Sequence, residues 1–147
     1  MDVAYTEAGD ASDPTVVCLH GVNAAGSSGE YREIWGALAE EYHVVAPDFP
    51  GFGCSDRPPI DYDGDLYTDF VAAFLERYDE PAVIAASLAG GYVANALARD
   101  EIDPRTLVLV CPSSGAMPGP NPWARGVVRA PVLGDLLVDV VTSRYSI

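Results

Sequence analysis

Ala82–Val83–Ile84–Ala85–Ala86–Ser87–Leu88–Ala89–Gly90–Gly91–Tyr92 is the stretch that decides the fold. It reads as a short buried strand, a tight turn of small residues centred on Ser87, and the start of a helix. A serine at such a junction is pushed out of the sheet with its hydroxyl exposed, as acyl transfer requires of a nucleophile. A turn this tight demands very small residues two positions before and after the serine, and here they are Ala85 and Ala89, followed by Gly90 and Gly91. The competing reading is that Ser87 is an ordinary helix N-cap, a place serine favours for its own reasons.

Working outward, further apolar runs bounded by turn residues mark buried strands at Thr15–His20, His43–Ala46, Ala82–Ala86 and Thr106–Cys111, with Val3–Thr6 as an edge strand. Helical patterns fall between them. Tyr31, Ile34, Trp35 and Leu38 recur at one-turn spacing, with Ser27 and Glu30 placed as a capping box. Leu66, Phe70, Val71, Phe74, Leu75 and Tyr78 form a second stripe, capped by Asp63 or Asp65. Val93, Ala96 and Leu97 face inward on a third helix, after Ser87. Strands alternating with helices predict an α/β fold, a mostly parallel sheet with helices on both faces.

The strand Thr15–Leu19 runs into His20–Gly21–Val22–Asn23 and a loop of small residues. Glycine there lets the backbone turn and present amides to a neighbouring site. If the two strand ends are neighbours, the amides of Val22 and Leu88 form an oxyanion hole beside Ser87. His20 is then a bracing side chain, with Gly21 and Gly90 in support.

Three stretches, taken in order, carry a family resemblance: Val17–Cys18–Leu19–His20–Gly21, then Val45–Ala46–Pro47–Asp48–Phe49–Pro50–Gly51–Phe52–Gly53–Cys54–Ser55–Asp56–Arg57–Pro58, then the turn at Ser87. Together they resemble the N-terminal half of the α/β-hydrolase superfamily, in its serine-nucleophile branch, from about Tyr5 to Cys111. The resemblance implies hydrolysis of a carboxylic ester or related acyl compound by Ser87. Branches with aspartate at that position, the haloalkane dehalogenases and epoxide hydrolases, fit less well. It also implies that Asp48 and Asp56 brace the loop behind the oxyanion strand and that residues 112–147, a proline-rich excursion and apolar segments, begin a helical cap over a hydrophobic acyl or alkyl group. Residues 1–111 are then the partial core.

The superfamily's triad runs serine, acid, histidine, and here the pattern stops. No histidine follows His43, and none of Asp100, Glu101, Asp103, Asp135 and Asp139 directly follows the strand Thr106–Cys111. His43, at a strand start, reads as a surface residue. The expectation is a truncated core whose acid and base lie elsewhere. The alternative is a non-catalytic remnant that binds a small apolar ligand or, through an exposed sheet edge, a complementing chain or a second copy.

Composition sets outer limits. The 147 residues are enough for one domain, and 49% are hydrophobic. Twenty-two acidic residues against eight basic ones, all arginine, give a net charge of −14. Such a surface repels nucleic acid and anionic lipid, and it suits a halophile's concentrated salt, where self-repulsion is screened. Three cysteines (Cys18, Cys54, Cys111) form no metal-binding or redox spacing, and two of them sit in strand-like apolar runs. No cofactor or metal is implied. The first residues lack the basic and apolar regions of a signal peptide, and no apolar run spans a bilayer, so the expected location is cytoplasmic.

Overall fold

The computed structural model describes residues 1–113. Within them lie strands β1 (Tyr5–Ala8), β2 (Thr15–Leu19), β3 (His43–Pro47), β4 (Ala82–Ala86) and β5 (Thr106–Val110), and helices α1 (Arg32–Leu38), α2 (Gly64–Leu75) and α3 (Leu88–Ala98). The excursion and cap expected at 112–147 lie, from residue 114 on, outside the described residues.

The strands form one sheet in the order β1-β3-β2-β4-β5. Only β1 runs antiparallel to its neighbour, β3, and the other pairs are parallel. Alternation along the strands sorts two cores. Val17, Leu19, Val45, Val83 and Ala85 face α2 and α3, burying Val71, Phe74 and Val93. Val16, Cys18, Val44 and Ala46 face the other way, against Tyr31, Trp35 and Leu38 of the α1 region. Both layers follow from the chain path. From β2 the connection through α1 runs outward to β3, and the next, through α2, crosses back to β4, so right-handed crossovers place α1 and α2 on opposite faces. The direction therefore switches between β2 and β4, and the carboxyl ends of strands at such a switch bound a crevice suited to ligands.

Four expectations are corrected. β1 lies two residues further on than Val3–Thr6, because Asp2 and Ala4 hydrogen-bond with Ser55, Asp56 and Asp48 of the loop after β3 instead. The capping box does not form: Ser27 makes no side-chain cap, a 3-10 turn (Ser28–Tyr31) precedes α1, and Ile34 is exposed. β5 is not a buried strand but, among the described residues, the sheet's outer one, with Val108, Leu109 and Val110 all exposed, and Cys111 beyond it is exposed too. His43 is buried rather than on the surface. It bonds Glu7 of β1 and Thr15 of β2 at the amino end of β3, fastening three strands together.

Candidate active site

Ser87 joins β4 to α3 with φ 52° and ψ −125°, a backbone region that a residue with a side chain enters only under strain. Such a conformation costs about 1–3 kcal/mol and persists only when its surroundings fix it. Here the Ser87 N–H donates to Val110 O (2.9 Å), and Ser87 O accepts from the N–H groups of Gly90 and Ser113 (3.2 Å each). Ala85 and Ala89, wholly buried on either side, leave no room for larger neighbours. The side chain caps no helix amide, so the N-cap reading fails. The residue is half-buried, and its hydroxyl lies exposed 3.4 Å from that of Ser113.

β2 and β4 are adjacent and parallel, with Leu19 beside Ala85, so the loop after β2 meets the turn after β4. A methyl group added to Gly21 would lie 3.3 Å from the Ser87 Cβ, a tight contact that puts the two residues side by side. His20 is fully buried between the rings of Phe49 and Phe52. Its Nε2 accepts the Phe49 N–H (3.0 Å), which leaves the proton on Nδ1 to be donated to Gly21 O (2.9 Å). Burial holds its pKa below the ordinary histidine value and keeps it neutral. The imidazole therefore braces the loop, and with both nitrogens engaged it has none left for Ser87. Among the described residues no hydrogen bond engages the N–H of Val22 or of Leu88, the first residue of α3.

Gly90 serves packing. A methyl there would come within 3.1 Å of Leu109 and 3.4 Å of Pro112, so its smallness lets α3 approach β5. Asp48, buried behind the loop, accepts the N–H groups of Ser28 (2.6 Å) and Cys54 (2.8 Å), and Asp56 accepts that of Asp2. Both carboxylates hold backbone. The chain's other histidine, His43, sits at the far end of the strands, so neither of the two is placed to take a proton from Ser87. Two residues near the site were missed. Ser113 lies beyond β5, and only the register of that strand brings it back to Ser87. Glu30, read as a helix cap, instead accepts the Gly21 N–H at 2.8 Å. Among the described residues no three His, Cys, Asp or Glu side chains converge as a metal site, and no helix is long and apolar enough to cross a membrane.

Residues 16–146 match the sequence profile of the alpha/beta hydrolase family. The chain belongs to that family. An uncharacterized hydrolase of Saccharomyces cerevisiae is 45% identical over 58 residues, 40% of this chain and 19% of the relative. A haloalkane dehalogenase of Mesorhizobium japonicum is 40% identical over 77 residues, 52% of this chain and 24% of the relative. The crystal structure of a serine hydrolase involved in carbazole degradation superposes with a TM-score of 0.67 at 26% identity, covering 74% of this chain and 43% of that one. The aligned part of this alpha/beta hydrolase chain thus spans less than half of each.

Proposed function

We propose that this alpha/beta hydrolase chain carries the nucleophile and oxyanion hole of a serine hydrolase acting on a carboxylic ester or related acyl compound. The strained backbone of Ser87, pressed against Gly21 at the sheet's switch point, carries the reading. The Ser87 Oγ attacks the carbonyl carbon, and the Val22 and Leu88 amides stabilise the resulting oxyanion. Collapse expels the alcohol and leaves an acyl-serine, which water then hydrolyses. The reading also requires a base to take the serine proton and return it to the leaving alcohol, with an acid to orient it, and neither His20 nor His43 is placed to be that base.

The dehalogenase among the relatives does not move this reading. A carboxylate that displaces a halide forms an ester, which water can cleave at the carbonyl. Serine in its place would form an alkyl ether, which an oxyanion hole cannot help to break. A serine at position 87 therefore favours acyl substrates, in keeping with the serine hydrolase among the structural neighbours.

A second reading rests on β5, whose outer edge presents exposed Val108, Leu109 and Val110. An unpaired apolar strand recruits another strand, so a non-catalytic chain would bind a complementing chain or a second copy there. Treating the protein made in its own cells with a fluorophosphonate separates the two readings. The serine-hydrolase reading expects stoichiometric labelling at Ser87, lost in Ser87→Ala. Folded protein that takes no label leaves the binding role standing.

A further inference from the structure

The loop after β2 is held by side chains rather than by strand pairing. The peptide between Gly21 and Val22 is planar and trans, so whatever fixes Gly21 O also aims the Val22 N–H at the opposite end of the same plane. His20 Nδ1–H does this at 2.9 Å, and the Asn23 amide adds a longer bond at 3.5 Å. The preceding peptide carries the N–H of the buried Gly21, which among the described residues bonds the Glu30 carboxylate alone, at 2.8 Å. Two consecutive planes are thus pinned, one by an imidazole and one by a carboxylate.

Glu30 works from a fixed base. It lies on the 3-10 turn whose first residue, Ser28, is tied through its N–H to the buried Asp48, and whose last, Tyr31, donates its hydroxyl to Leu19 O at 2.8 Å. The residues that follow, Asn23, Ala24 and Ala25, are exposed, and their turn is closed by Ala25 N–H to Asn23 Oδ1 (2.9 Å) and Gly26 N–H to Asn23 O (3.0 Å), neither of which holds the Gly21 N–H.

We infer that Glu30 is a positioning residue of the oxyanion hole: by holding the Gly21 N–H it sets the angle at which the Val22 N–H faces the oxygen attached to the atom that Ser87 attacks. This rests on the serine-hydrolase reading above. Glu30 touches no substrate and moves no proton. Its requirement is an acceptor at the right distance, which glutamine also offers and alanine does not.

The test compares Glu30→Ala, Glu30→Asp and Glu30→Gln, each made in the protein's own cells and reacted with a fluorophosphonate whose phosphoryl oxygen occupies the oxyanion position. The alanine and aspartate variants should lose about 10- to 100-fold in the maximal labelling rate with the half-saturating concentration unchanged. Glutamine should recover most of that rate. Equal melting temperatures confirm that folding is intact, and the aspartate variant keeps the charge should alanine unfold the chain. In parallel, NMR amide exchange should quicken at Gly21 and Val22 in Glu30→Asp. Wild-type protein that labels, with variants that label as fast, overturns the role of Glu30 and leaves Ser87 standing. Wild-type protein that does not label overturns the serine reading, and with it the assignment of Glu30 to an oxyanion hole. Unchanged exchange at Gly21 in the aspartate variant overturns the clamp itself.

Discussion

His20 carries its proton on Nδ1 because the Phe49 N–H occupies Nε2, and a second proton would set two donors against each other. That conflict, together with burial, gives stability a pH dependence of known sign. Above about pH 6.5 the imidazole is neutral in both folded and unfolded chains, and its contribution is complete. As pH falls towards the lowered native pKa, the unfolded chain takes up a proton that the native chain refuses, and stability drops. One such proton accounts for at most about 1.4 kcal/mol per pH unit. Urea midpoints at pH 7.5 and 5.5 should therefore diverge more in the wild type than in His20→Gln, and equal slopes would refute the account. At this scale the sequence was legible in placement: Ser87 at a strand-to-helix turn, Gly21 beside it and His20 bonded within its own loop. It misled at His43, whose burial depends on β1 closing over it from elsewhere in the chain.

Among the elements, α2 shows how local signals succeed. Asp63 ends an extended segment and accepts the Leu66 N–H at 2.9 Å, satisfying one of the helix's unpaired donors. Asp63→Ala should cost about 1 kcal/mol in chemical denaturation, against a much smaller loss for Asp63→Asn, which keeps a capping oxygen. The Ser27–Glu30 pair bears the same local signature and fails, because a long-range partner, the Gly21 N–H, outbids the helix end for the Glu30 carboxylate. Likewise β5 reads as buried from its composition, since periodicity reports that a strand is apolar and not which neighbours flank it. Strand positions were therefore legible to within two residues, and so was the edge place of the first strand, whereas long-range hydrogen bonds were not.

For the molecule as a whole, a charge of −14 and an apolar edge act against each other. Charge repulsion keeps copies apart at low salt, and in molar salt, where screening acts over about 3 Å, that protection fades. Sedimentation should show association of this chain growing from 0.1 to 2 M KCl, and Val108→Lys should suppress it by placing a charge on the edge. Association that weakens with salt, or that ignores the lysine, would place the contact elsewhere. The mostly parallel sheet and the helices on both its faces were readable from alternation alone, whereas the strand order was not. The crevice needed the structure, because it arises where two crossovers part company.

Two of the three backbone hydrogen bonds that hold Ser87 in its strained shape reach the end of β5 and the residues just past it, at Val110 and Ser113. The serine is thus set by a stretch of chain made after it. On a polypeptide leaving the ribosome, those two bonds can form only once residues 106–113 have followed, and the third, from the Gly90 N–H, needs no more than the first turn of α3.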